Sequence, residues 1–157
     1  MTTARKASDA KAAERARVEA WRRVLVAQTR ITGLLTEEMR ASTGVTLGDY
    51  DVLLHTHEAG DAGIRMTDLA SNLVVSKSGL TTRVDRLEQR GLLQRVADPE
   101  DRRATRITLT SDGTTLFRAA AEVHLAGIQE HFGSQLSDRE TEQLLTLFTR
   151  ILESLQQ

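Results

Sequence analysis

Apolar side chains recur through the first quarter of the chain at Val18, Trp21, Leu25, Ile31, Leu35 and Met39, with the polar Gln28 as the one break in the series. The steps are three and four residues, which puts all of them on one face of a long helix. Only Gly33 interrupts residues 12–42, and Gly44 ends the run. Thr46 with Asp49 three residues on marks the start of a second helix, which carries Tyr50, Leu53, Leu54 and His57 and stops in AGDAG at 59–63. A short extended piece, Ile64-Arg65-Met66, follows. Thr67 is then placed to cap a short third helix through Leu69, Ala70 and Leu73. Ser76 is placed to cap a fourth, with Leu80, Val84 and Leu87 on one face and Gly91 at its end. Only Val74 and Val75 separate the two, and the second is rich in Ser, Thr and Arg. That is a helix-turn-helix pattern.

The period then changes from helical to extended. Residues 92–96 and 105–109 read as strands, joined by Asp98-Pro99-Glu100-Asp101-Arg102-Arg103, where Pro99 is the only proline in the chain. A tight hairpin needs about two turn residues, so this charged loop is long enough to be a wing. Thr110 or Ser111 starts a fifth helix running to about Phe132, and Ser137 with Glu140 forms a capping box for a sixth that reaches the C-terminus. The expected fold class is mainly α (α+β), a winged helix-turn-helix with long N- and C-terminal dimerisation helices. Residues 1–11 are expected to be a disordered tail and 12–157 a single winged-helix domain. Its DNA-binding lobe would cover about 46–109, and its dimerisation helices about 12–42 and 111–157.

Composition sets limits on these elements. A length of 157 residues suits one domain with a real core, and 39% hydrophobic with 27% charged residues is ordinary for a globular chain. No apolar run approaches bilayer length and the N-terminus lacks a secretory segment, so the expected location is the cytoplasm, with no membrane partner. With no cysteine, disulfides and thiolate chemistry are excluded. The net charge of −1 hides an asymmetry: residues 65–106 hold nine Lys/Arg against six Asp/Glu, inside an acidic remainder. A basic middle of this kind suits a polyanion.

With Leu80, Val84 and Leu87 facing a core, the fourth helix shows Ser78, Thr82, Asp85, Arg86 and Gln89 outward, with Thr81 to one side. Its N-terminal end, Ser76-Lys77-Ser78, is where a recognition helix meets base edges. Lys77 and Arg86 suit phosphate or guanine, and Ser78, Thr81 and Thr82 are adaptable donors and acceptors. Arg83 lies nearer the core edge, as a structural ion-pair partner or a phosphate contact. Asp85 would orient Arg86 or another basic side chain. In the wing, Arg102 and Arg103 can reach a narrow minor groove, with Asp101 fixing Arg103, while Arg106 points outward on the second strand as a weaker phosphate candidate.

The outer helices predict self-association. Leu144, Phe148, Ile151 and Leu155 form a stripe on the sixth helix with Leu145 and Leu152 beside it, wider than one short neighbour needs. Enzyme motifs are absent: no nucleophile elbow and no Gly-rich phosphate loop. His55 and His57 point to different faces; His124 and His131 share one, which with Glu122 or Glu130 outlines a metal-responsive alternative. No cofactor or resident metal is expected.

LTTRVDRLEQRGLLQRV at 80–96, DPEDRR at 98–103 and ITLTSDG at 107–113 together resemble the MarR-type transcriptional regulators, and the resemblance covers nearly the whole chain. The family's wing Asp-x-Arg falls on Asp101 and Arg103, and its Leu-Thr-Ser/Asp-x-Gly opening of the fifth helix on Leu109 to Gly113. The resemblance implies a homodimer on a pseudo-palindromic double-stranded DNA operator, often controlled by a small aromatic or phenolic effector. By that likeness the effector would lie where the outer helices meet the DNA-binding lobe, near Trp21, Arg22, Leu25, Tyr50, Leu54, His57 and Arg65. A ligand-responsive repressor is the leading expectation; a winged-helix module for an acidic protein partner is the other.

Overall fold

The computed structural model describes residues 2–73, 77–101 and 104–155. It divides into two compact units, Met1–Leu34 and Leu35–Gln157.

The first unit consists of helix α1 (Thr2–Thr43), whose last turns belong to the second unit. The helix begins at Thr2, so residues 2–11 are helical rather than the expected tail. The physical reason is composition: this stretch is rich in alanine and free of Gly and Pro, which gives a high intrinsic helix propensity. Glu19 and Arg23 pair one turn apart at 3.0 Å. Within this unit Val18, Trp21 and Leu25 are exposed, Trp21 to 60%.

In the second unit, α1 buries Leu35 and Met39 and ends at Gly44, whose φ of 71° requires a residue without a Cβ penalty. Helix α2 (Leu47–Glu58) starts in a full capping box: Thr46 accepts from Asp49 N, and the Asp49 carboxylate accepts from Thr46 N. A single 3-10 turn (Gly60–Ala62) leads to strand β1 (Ile64–Arg65) and helix α3 (Met66–Asn72). Arg65, not Thr67, holds the cap position of α3, because the helix follows the strand directly; the Thr67 hydroxyl bonds Asp68 instead. Helix α4 (Lys77–Gln89) ends at Gly91, again at positive φ. Strands β2 (Leu93–Ala97) and β3 (Thr105–Leu109) complete an antiparallel sheet in the order β1-β3-β2, with Arg65 opposite Arg106 and Val96 opposite Arg106 on the other side.

Helix α5 (Ser111–His131) is capped by Thr110, which accepts from Gly113 N at 3.0 Å. Gly113 must be glycine: a Cβ there would stand 1.9 Å from the Leu92 carbonyl oxygen. Helix α6 (Asp138–Ser154) opens with the Ser137–Glu140 capping box. The core joins Met39, Leu53, Leu69, Leu80, Leu87 and Ile107, so α1, α2, α3, α4 and the sheet share it. Helix α6 buries none of its residues within this chain. Its Leu145, Phe148, Ile151, Leu152 and Leu155 are exposed, and an apolar groove of about 270 Å³ runs between α6 and Phe132 and Leu136. No helix among the described residues is long and apolar enough to cross a membrane.

Candidate nucleic-acid interface

Helix α4 is amphipathic in the sense its sequence predicts. Leu80, Val84 and Leu87 are fully buried, while Ser78, Thr81, Thr82 and Arg86 are exposed. Thr82 keeps its hydroxyl on the helix, donating to Ser78 O at 3.1 Å. Ser76, Arg102 and Arg103 lie outside the described residues, as does the side chain of Lys77.

Arginine side chains brace α4 by ion pairs and a backbone contact. Arg86 donates to Asp49, which is 2% exposed and already caps α2 with its other oxygen. Arg86 is therefore tied to α2 rather than standing outward alone. Arg95 of β2 donates to Asp85 at 2.5 Å and also to Glu88, so the basic partner of Asp85 is Arg95 and not Arg86. The two carboxylates and the hydrogen bonds they accept hold the Arg95 guanidinium above its usual pKa. Arg90 donates to Gly44 O at 3.0 Å and closes the end of α1 against the end of α4. Arg83 lies over Gly48, where a Cβ would meet its guanidinium at 1.5 Å.

The base of the hairpin carries a second ionic cluster. Asp98 Oδ2 accepts from Arg65 Nε at 2.6 Å and from Arg106 Nε at 2.9 Å, and Oδ1 accepts from Glu100 N at 2.9 Å. The Asp98 side chain is fully enclosed. The hydrogen bond from Arg65, then that from Arg106, holds its carboxyl far below the usual carboxylate range. Arg106 is thus turned to Asp98 and is mostly covered, where strand alternation alone predicts an outward phosphate contact. Backbone closure comes from Asp98 N donating to Ala104 O at 3.1 Å and Ala104 N to Asp101 O at 2.9 Å.

The residues expected to bind an effector separate between the two units. Trp21, Arg22 and Leu25 are exposed on the first. In the second, Tyr50 and His57 both meet Phe117, at ring-centroid distances of 5.8 and 4.5 Å, and Tyr50 also meets His124 at 4.7 Å. Leu54 packs against the core beside them, whereas Arg65 belongs to the Asp98 cluster. Burial pushes the Tyr50 hydroxyl up and the His124 imidazole down in pKa. An open cleft of about 400 Å³ borders this group, lined among others by Thr56, His57, Asp61, Gln94, Val96 and Thr108. His131 pairs with Glu38 at 2.6 Å. Among the described residues, no three His, Asp or Glu side chains converge on a metal position.

Sequence reading missed Asp98 and Phe117 and assigned Asp49 to capping alone. Asp98 and Asp49 take arginines 33 and 37 residues away, a distance at which spacing carries no signal.

Comparison with known proteins agrees with this geometry. The MarR family profile matches residues 43–104. The chain is 32% identical over 104 residues to the HTH-type transcriptional regulator PecS of Dickeya dadantii, covering 66% of this chain and 62% of that protein. It superimposes with a TM-score of 0.79 on AbsC, a MarR family transcriptional regulator from Streptomyces coelicolor. There the identity is 31%, over 87% of this chain and 92% of that one. The same TM-score, at 26% identity and over 88% and 86% of the chains, relates it to the MarR family regulator Sco3205 of that organism, solved in complex with DNA. With these matches, the winged helix-turn-helix and the braced α4 place the chain in the MarR family of DNA-binding transcriptional regulators, which are not enzymes.

Proposed function

We propose that this chain acts as a homodimer that represses transcription from a pseudo-palindromic operator in the cytoplasm and releases the DNA when a small aromatic or phenolic effector binds. The observation that carries the DNA part is α4: its apolar face is buried, its Ser78, Thr81 and Thr82 face is exposed, and ionic braces fix both flanks. A helix held in this way can enter a major groove without first paying to order itself. Ser76, Lys77, Ser78, Thr81 and Thr82 would meet base edges and phosphates, and Arg102 and Arg103 would follow the minor groove with Asp101 orienting Arg103. Arg86 and Arg106 act mainly as braces in this reading. The DNA complex of Sco3205 supports the mode of binding. The bare apolar stripe of α6 supports pairing with a second copy.

An effector would act on the cluster of Tyr50, Leu54, His57 and Phe117 in the second unit. Arg65 is engaged by Asp98, and the ring surfaces of Tyr50, His57 and Phe117 suit an aromatic or phenolic ligand. A ligand releases DNA only by favouring a DNA-incompetent state, with a coupling of typically about 1–3 kcal/mol.

The deciding experiment selects bound duplexes from a random pool and follows affinity for the selected site against salt. A log-log slope near −0.9 for each phosphate contact, about −4 or steeper in total, is the expected result. A shallow slope with no selected sequence would point to an acidic protein partner instead.

A further inference from the structure

We propose that Asp98 is a positioning residue for DNA recognition: by drawing Arg65 and Arg106 together at the mouth of the hairpin, it fixes the β2–β3 loop relative to the sheet. This rests on the DNA-binding reading above and deepens it.

The geometry carries the argument. Arg65 and Arg106 are direct cross-strand partners on β1 and β3. Like charges in that relation repel and loosen a strand pair. Asp98 reverses the effect, because both Nε–H groups converge on a single oxygen, Oδ2, at 2.6 and 2.9 Å. Its other oxygen takes Glu100 N, the third residue of the loop. The Glu100 carboxylate completes the cluster, 3.8 Å from Arg65 Nη2 and 3.5 Å from Arg106 Nη2. Two cations and two anions balance, so net charge does not draw this cluster toward phosphate. Arg106 also donates to Ala62 O at 3.4 Å, which brings in the turn before β1.

One enclosed side chain therefore links β1, β3 and the first residues of the loop, while its own backbone closes that loop on Ala104. Between Asp98 and Ala104 the sequence carries Arg102 and Arg103. Arginines on a loop of this length contribute to specificity only if ordering the loop is not charged to the binding step. Asp98 touches no DNA in this scheme; it acts through the hairpin.

The test uses the full chain, a duplex selected from a random pool, and a scrambled duplex of the same length. Asp98→Asn keeps the shape, removes the charge and leaves two arginines without their shared anion. The ratio of specific to non-specific affinity should fall roughly tenfold or more, within the range for losing one groove-reading arginine. Binding to the scrambled duplex should hold or tighten, and its salt slope should steepen as two cations become available. Arg106→Gln, which keeps the Arg65–Asp98 pair, should lower the ratio less; it decides the matter if Asp98→Asn does not fold. An unchanged ratio in the folded variant overturns the proposal. So does an undiminished effect of Asp98→Asn in a background carrying both Arg102→Ala and Arg103→Ala, where no loop arginine is left to position. Arg103→Ala binding like the parent chain is a separate failure, that of the wing reading itself.

Discussion

Asp49 and Arg86 are joined across the interior edge of the winged helix: the carboxylate that caps α2 through Oδ2 also accepts from the Arg86 guanidinium through Oδ1. One side chain thus sets the start of α2 and the pitch of α4 against it. Asp49→Ala removes both, and the folded state should lose about 1–3 kcal/mol, a cap plus a charged hydrogen bond. Asp49→Asn keeps a capping oxygen and should cost less. Urea unfolding followed by circular dichroism measures both. Equal stability of Asp49→Ala and the parent chain would show that neither bond matters.

Arg103→Ala should weaken specific DNA binding by roughly 1–3 kcal/mol and relax the preference for A·T-rich flanks, with unchanged circular dichroism. Arg102→Ala should cost less if Arg102 meets only phosphate. Fluorescence anisotropy on matched and flank-altered duplexes reads both effects. Parent-like binding by Arg103→Ala at moderate salt would remove the wing from the mechanism.

These two cases show what the sequence makes legible. Capping boxes at Thr46 and Ser137, the stop at Gly44 and strand β3 are all readable, because each signal is complete within a few residues. The buried face of α4 is readable from its period. The start of α3 was misplaced because Thr67 looks like a cap until the preceding strand is known to occupy residues 64–65. The arginines were harder still. Arg65, Arg86 and Arg106 look alike as exposed cations in a basic segment, and only the folded chain brings Asp98 and Asp49 to them. Charge counting therefore finds the basic region and overstates how much of it is available to DNA.

His124 should make stability depend on pH. Its ring lies against Tyr50, its Nδ1 is buried without a hydrogen-bond partner, and burial holds its pKa below the ordinary 6.5, opposed only in part by Asp51. The unfolded chain then binds the proton more readily than the folded one. The contribution is complete above about pH 6.5 and is lost as the pH falls toward the folded value. Asp51, raised by burial, works in the other direction at lower pH. The melting temperature should drop between about pH 7.5 and 5.5, and the drop should shrink in His124→Gln. An identical pH dependence in the two proteins would place the titration at another group.

The apolar stripe of α6 should be an interface between two copies of this chain. Leu155 is 76% exposed, Leu145 65% and Leu152 59%, beside a groove lined by Phe132, Leu136 and Leu144. A contiguous apolar surface of this kind is rare on a monomer and normal where subunits meet. Two-fold pairing would also present two α4 helices to half-sites about one helical turn, roughly 10 base pairs, apart. Sedimentation at micromolar concentration should give a particle of about twice 17.4 kDa. Ile151→Glu, which places a charge in the middle of the stripe, should halve that mass with little change in helicity. The same variant should lose the operator while keeping weak non-specific binding, because a single half-site retains its phosphate contacts but not the second set of base contacts. A parent chain that sediments as a monomer and holds its operator at one-to-one stoichiometry would show that α6 serves some other contact.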